Sequence, residues 1–443
     1  MNTVVRFAPD ASGPLHVGNA RMALINWLFA SKAGGKFLLR FDDRDPATSP
    51  PELIIAIERD LMWLGLEWDE FARQSDRMDR YREAFDRLRA AGRIYGCYET
   101  AAELRKFSET RRAAGLRPIY DRAGLMLSDG QRRQFEAEGR KPHWRFLLDD
   151  GEVSWNDLVL GPQTLDVTNL SDPVVMRADG VFADILPSAV DDIDHGVTHV
   201  IRGVDHVTTP ATQIQIFKAL GAVAPALGHL PLIMDNAGHV ISKEMGPTAI
   251  ENLRGEGIEA MALNSVLANL GTGRSAAPCL SLSEIAEPFD IRDYTAGDPK
   301  LDTAKLARVN AKVLGLMPFE MVEKRLSRLD LEHANRHFWE TVRTNLSGFS
   351  EVDEWYRVCF GDVPCVIEDL DLILTARELL PPDPWDGTTW AAWIKSVAAK
   401  SGQSADALTR ALRLAVTGVD KGPDMQLLLP MIGRARALDR MGG

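Results

Sequence analysis

Two short stretches carry residue types that suit phosphate chemistry. The first, RFAPDASGPLHVGNAR at residues 6–21, runs from an apolar step through a Pro- and Gly-rich turn to His16 and Gly18 at the entry of a helical segment. A strand feeding such a turn and a helix N-terminus makes an anion site, because unpaired backbone N–H groups and the helix dipole converge there. Gly18 lets a flat ring approach the backbone, and His16 can donate to a phosphate oxygen. The second stretch, DNAGHVISKEMG at 235–246, places Ser242 and Lys243 after a glycine-bearing turn. A lysine so placed can neutralise charge developing on a pyrophosphate.

The elements around these stretches must hold them together. Val4–Pro9 reads as a short buried strand, Ala20–Lys32 as an amphipathic helix stopped by Gly34 and Gly35, and Lys36–Phe41 as a second strand. Pro51–Leu64 and residues 77–95 have helical spacing. This opening suits a parallel α/β sheet. The pattern returns with a strand at 197–203 and a helix at 209–220. Past about residue 245 the sequence reads as helical to its end, broken near 287–299, 361–364, 381–387 and 421–423.

At 443 residues the chain is too long for one ordinary core. No 18-residue apolar run is present, so no membrane span is expected, and the first residues lack the pattern of a secretory signal. Cys97, Cys279, Cys359 and Cys365 form no Cys-x-x-Cys pair, which points to reduced thiols in a cytoplasm and to no structural zinc. A net charge of −12 argues against indiscriminate nucleic-acid binding. Yet Arg105 to Arg145 holds eleven arginines and lysines among several aromatics, which favours a local phosphate-backbone surface. Two carboxylate groups, Asp42/Asp43/Asp45 and Asp191/Asp192/Asp194 with His195, read as solvated residues at strand ends or loops, and no metal site is expected from them.

The two signatures at opposite ends of a split α/β domain, with a basic insert between them, resemble those of class I aminoacyl-tRNA synthetases. More specifically, the chain resembles the bacterial glutamyl-tRNA synthetases in a short, alphaproteobacterial-type form. RFAPDASGPLHVGNARMALINWLFA, LRFDDRDPATS, LMWLGLEWDE, KPHWRFLL, WNDLVLGP, VDDIDHGVTHVIRGVDH, HLPLIM and GPDMQLLLPMIGRARAL follow in family order over nearly the whole chain.

The resemblance implies an α/β fold: a Rossmann-like catalytic domain with an inserted acceptor-binding domain, followed by an all-α anticodon-binding domain. The expected layout is catalytic halves at 1–95 and 171–235, an acceptor-stem insert at 96–170, a stem-contact region with the Ile-Ser-Lys loop at 236–310 and the anticodon-binding part at 311–443. It implies ATP-dependent activation of glutamate and transfer to the 3′ end of tRNA, expected to be tRNA-Glu. ATP and Mg²⁺ are expected, zinc is not, and a monomer in the cytoplasm is implied. His16, Gly18, Ser242 and Lys243 would serve ATP, with His16 and Lys243 catalytic. Arg6 and Arg202 match the arginines associated with glutamate's carboxylates. Ala8, Asp10 and Asp42 match positions near its ammonium group, and Asp184 and Ser188 match pocket positions.

Several departures fall on that pocket. Asp10 stands for the family serine, Ser12 for threonine, Asp184 for tyrosine and Val204 for an acidic residue. Glu244 replaces a basic residue and Val240 a lysine. A carboxylate about 5 Å from the glutamate side chain would cost on the order of 3 kcal/mol at an effective dielectric of ~20. That cost vanishes if Asp184 is protonated, if it turns to solvent and changes nothing, or if Arg6 or Arg202 neutralises it, the last of which would consume an arginine glutamate needs. On this reading glutamate activation is weak and improves in an Asp10→Ser, Asp184→Tyr variant. Two alternatives follow: a paralogue that activates a different amino acid or uses a different acceptor, and a catalytically weak tRNA-binding or regulatory protein.

Overall fold

The structure, a computed structural model, describes residues 2–45, 47–241, 248–364 and 366–442. One unit comprises Met1–Leu253, Asn264–Ala276 and Ser281–Asp302; the other comprises Arg254–Leu263, Ala277–Leu280 and Thr303–Gly443.

The first unit opens with β1 (Val4–Phe7), α1 (Val17–Lys32) and β2 (Lys36–Phe41). Both strands are buried nearly throughout, so they read as apolar runs rather than alternations. They pair in parallel, Val4 opposite Lys36 and Phe7 opposite Leu39. The helix buries Ala20, Leu24 and Leu28, and Gly34, at φ 59°, turns the chain after its end. It begins at Val17, before the expected Ala20, because the His16 side chain caps it.

α2 (Pro51–Trp63), β3 (Glu70–Arg73) and α3 (Met78–Ala90) follow. The helix expected to reach residue 95 stops at Ala90. Gly92, at φ 71°, breaks it, and the apolar IYGC forms β4 (Ile94–Cys97). Next come α4 (Ala101–Ala113), α5 (Asp129–Ala137), β5 (His143–Phe146), β6 (Glu152–Asp157), β7 (Gly161–Asp166) and β8 (Val174–Met176). α6 (Ile185–Asp194), β9 (His199–Gly203), α7 (Thr209–Ala219) and β10 (Ala226–Leu230) complete the alternation.

Seven strands form one sheet in the order β3-β2-β1-β9-β10-β6-β7. Every neighbouring pair is parallel except the β6–β7 hairpin. The hairpin, which lies within 96–170, thus extends the main sheet, while β4, β5 and β8 form a separate antiparallel sheet. Tyr81, Phe85, Phe146, Val175, Leu186, Val190, Ile216 and Phe217 form a buried core that joins α3, α6 and α7 to the small sheet. From β1 the chain proceeds outward through β2 to β3, whereas β9 and β10 lie on β1's other side. Ligands of open α/β sheets bind at such a reversal, beyond the strands' carboxyl ends.

The second unit is helical beyond Thr303, with helices that include Thr303–Leu316, Phe319–Ser327, Val352–Phe360, Thr389–Ser401, Ala405–Thr417 and Met425–Ile432. Gly402 and Gly418, at φ 71° and 77°, cap two of them. Trp339 and Trp393 are fully buried, and each satisfies its indole N–H on a carbonyl, of Met317 and Ala376 respectively. Among the described residues no helix is long and apolar enough to cross a membrane.

Candidate functional site

The turn after β1 and the entry of α1 form one end of the site. His16 Nδ1 accepts from the Gly18 backbone N–H at 3.1 Å. In the neutral ring the proton therefore sits on Nε2. A Cβ at Gly18 would fall 2.8 Å from His16 Cε1, so only glycine lets the ring close onto the helix start. Ser242 and Lys243 lie outside the described residues. Their flanks are placed: a Cβ at Gly18 would lie 3.7 Å from the Ile241 carbonyl oxygen, Ala249 is bridged to His16, and Ile250 N–H donates to the Leu15 carbonyl.

The other end gathers at the carboxyl ends of β1, β2 and β9. Asp42 N–H donates to the Pro9 carbonyl at 3.1 Å, which brings the turn that holds Ala8 and Asp10 against Asp42. Asp10 itself is exposed and accepts from Ser12 Oγ at 2.7 Å. Asp42 is held by Arg40, whose Nε donates at 2.8 Å and Nη2 at 3.3 Å. Burial raises the Asp42 carboxyl above its ordinary value, with Arg40 pulling the other way.

Arg40 is the hub. It is fully buried, donates to Asp192 at 3.0 Å and to Ser188 Oγ at 3.0 Å, and its charge is held by Asp42 and Asp192 against the cost of burial. Asp192 also accepts from Arg6 Nε in a longer contact of 3.4 Å. Burial lowers the Arg6 pKa, which Asp192 only partly restores. Arg202 makes no ion pair among the described residues. Its Nε donates to His229 Nε2 at 3.1 Å, and Nη2 lies 3.4 Å from the His206 carbonyl. Burial, then repulsion from Arg6, brings its pKa down to about 10. Arg6 and Arg202 are thus neighbouring guanidiniums that repel each other, Arg6 sharing Asp192 with Arg40 and Arg202 having no ion pair among the described residues, and a carboxylate between them would relieve that repulsion.

Asp184 pairs with neither of those arginines. It leads into α6 and forms an ion pair with Arg44. The expectation that neutralising Asp184 would consume Arg6 or Arg202 is therefore corrected. The carboxylates read as solvated are corrected too. Asp43, Asp191 and Asp192 are buried at 3%, 0% and 2% exposure. Asp43 accepts from Arg73 and Ser75, and Asp191 from Gln74, Arg77 and Tyr81. Asp191, Asp192 and Asp194 belong to helix α6, because Leu186, Ala189 and Val190 supply a buried helical face that outweighs the local charge.

Sequence reasoning passed over Arg40, Arg44, Gln74, Asp157 and His229. For Arg40 a signal existed: a charge inside the apolar strand KFLLRF demands a buried partner. Cys97, dismissed as a metal ligand for lack of companion cysteines, lies with Glu99 and His143, their candidate ligand atoms within 4.8 Å of one another. Tyr120 Oη lies 3.4 Å from Cys97 Sγ and 2.9 Å from Glu99, and Arg145 donates to His143 at 3.3 Å. Burial pushes the Cys97 thiol up to about 11.

The chain matches the sequence profile described as tRNA synthetases class I (E and Q), catalytic domain, over residues 2–308, and that of an anticodon binding domain over residues 362–442. It is 50% identical to glutamate–tRNA ligase 1 of Parvibaculum lavamentivorans, with 99% of this chain and 98% of that protein aligned. Glutamate–tRNA ligase 2 of Methylobacterium sp. strain 4-46 is 47% identical over 100% of this chain and 99% of its own length. Among solved structures, a glutamate tRNA ligase from Elizabethkingia meningosepticum in complex with its amino acid superposes at a TM-score of 0.87. That match covers 100% of this chain and 98% of the other at 24% identity, a likeness of fold.

Proposed function

The chain belongs to the class I tRNA synthetases of the glutamate and glutamine type, and we infer that it joins glutamate to the 3′ end of tRNA using ATP. The observation that carries the substrate is the pair Arg6 and Arg202 beside the sheet's reversal, Arg6 sharing Asp192 with Arg40 and Arg202 without an ion pair among the described residues. Glutamate brings two carboxylates to them. Its ammonium group goes to the region of Ala8, Asp10 and Asp42, with Ser188 and Asp184 on the neighbouring helix.

In the first step a glutamate carboxylate oxygen attacks the α-phosphorus of ATP, the adenylate forms and pyrophosphate leaves. The α1 entry, with its backbone N–H groups, Gly18 and the Nε2–H of His16, stabilises phosphate oxygens. Ser242 and Lys243 take the leaving pyrophosphate, and Mg²⁺ travels with ATP. In the second step a ribose hydroxyl at the tRNA 3′ end attacks the adenylate carbonyl and AMP leaves.

The surface at 96–170 takes the acceptor stem, 236–310 contacts the stem further down and 311–443 reaches the anticodon. We place the protein in the cytoplasm as a monomer that charges tRNA-Glu and binds no zinc. Pyrophosphate exchange measured with each of the twenty amino acids, with and without tRNA, tests this reading. Glutamate alone should support exchange, and tRNA should stimulate it. Exchange driven by another amino acid would overturn the assignment.

A further inference from the structure

Asp184, which leads into helix α6 with helical backbone angles, and Ser188 and Asp192 within the helix lie at four-residue steps, hence along one stripe. Each meets a guanidinium from the β2 side. Asp192 accepts from Arg6 and Arg40, Ser188 accepts from Arg40, and Asp184 pairs with Arg44. The first two lie deep and the third lies at the rim: the Asp184 side chain is 77% exposed and that of Arg44 only 11%. Arg44 is anchored on its other side, where Nη1 donates to Gln74, which in turn donates to Asp191 at 2.9 Å. The buried Nε–H of Arg44 finds no hydrogen-bond acceptor among the described residues.

We propose that Arg44 is a specificity-determining residue of the amino-acid site, which cancels the charge of Asp184 so that Arg6 and Arg202 stay available to glutamate. This inference rests on the glutamate reading above. The pair does with two opposite charges what a neutral residue at 184 does with none. Removing one member therefore has the opposite effect on a carboxylate substrate from removing the other. Without Arg44, an uncompensated carboxylate stands at the rim of the site and repels glutamate. Without Asp184, an unpaired guanidinium attracts it.

The test is glutamate-dependent pyrophosphate exchange with saturating ATP and tRNA, for the parent, Arg44→Ala, Arg44→Lys, Asp184→Asn and the Arg44→Ala, Asp184→Asn double variant. Arg44→Ala should raise the glutamate KM about tenfold, the scale of one unbalanced charge in a half-solvated setting, with kcat changed less than threefold. Arg44→Lys should lose less than half of that on a logarithmic scale, because it keeps the charge. Asp184→Asn should lower the glutamate KM below the parent's, and adding it to Arg44→Ala should recover at least half the loss. A merely structural role for Arg44 would lower kcat and thermal stability, and deleting a second residue would not repair it. An Arg44→Ala KM within twofold of the parent's, or a double variant as poor as Arg44→Ala, overturns the proposal. A parent that activates no glutamate overturns the functional reading and this inference with it.

Discussion

Arg202 donates from Nε to Nε2 of His229 at 3.1 Å, and this contact fixes the state of a fully buried histidine. Arginine can only donate, so His229 Nε2 is an acceptor and the proton resides on Nδ1, which reaches Asp157 at 2.5 Å. Asp157 also accepts from three backbone N–H groups, of Val159, Leu160 and His229. The string Asp157–His229–Arg202 orients a guanidinium with a neutral ring and so leaves its charge for substrate. His229→Asn should raise the glutamate KM by about 10-fold with a smaller change in kcat, as for other partners that orient a binding group. Steady-state exchange kinetics check this, and an unchanged KM would remove His229 from the positioning of Arg202.

The same string makes acid stability measurable. Burial alone would raise the Asp157 pKa, but the hydrogen bonds from His229 and from the backbone of Leu160 and Val159 outweigh it and hold the carboxyl below its ordinary 3.8. As pH falls the unfolded chain takes up this proton first. The stabilisation is therefore complete above about pH 4 and is lost as pH drops through the folded value. Asp157→Asn should cost about 2 kcal/mol at neutral pH and flatten the dependence below pH 4. Urea melts of both proteins from pH 3 to pH 7 check the sign, and parallel acid profiles would refute it.

At the ATP end, His16→Ala and Lys243→Ala should each slow adenylate formation by about 100-fold or more. Gly18→Ala should act through His16, because its methyl group would collide with the ring that caps α1. Its loss should appear chiefly in the KM for ATP. If both His16→Ala and Lys243→Ala run at the parent rate, phosphate stabilisation belongs to other groups.

Binding of tRNA should depend steeply on salt despite the net charge of −12, because phosphate contacts on local basic surfaces release counterions. Filter binding between 50 and 200 mM salt should show the fall. Footprinting of the full chain should protect both the acceptor stem and the anticodon loop. Protection confined to the stem would argue against an anticodon contact beyond residue 310.

The Cys97, Glu99 and His143 cluster should hold no stoichiometric zinc, because it brings only three candidate ligands together among the described residues and a closed structural zinc site takes four. Metal analysis after dialysis against zinc should give well under one ion per chain. An ion retained in the parent and lost in Cys97→Ser would reverse this reading.

What the sequence revealed divides along the range of the interactions. The strand–helix–strand opening was legible because VVRF, the α1 stripe and KFLLRF each carry their own local pattern. Arg6 and Arg202 were reached through family resemblance. The network that orients them was not legible, because its partners lie far apart along the chain. Arg6 and Asp192 are 186 residues apart, Arg40 and Asp192 are 152, and His229 and Asp157 are 72. Periodicity reports which face of an element is apolar, but says nothing of which buried charges meet. Asp184 shows the cost of that blindness. Its position suggested a pocket made hostile to glutamate, whereas the fold sets Arg44 beside it. An Asp184→Tyr change would therefore strand a guanidinium.

The order of the seven-stranded sheet leaves two rims, β3 and β7. An open rim is a template on which another chain can add a strand, the first step toward aggregation. Here β7 carries Pro162 opposite Asn156, a residue with no N–H to offer an incoming strand, and β3 is short and bears Glu70 and Arg73. Both borders are poor neighbours for a foreign backbone.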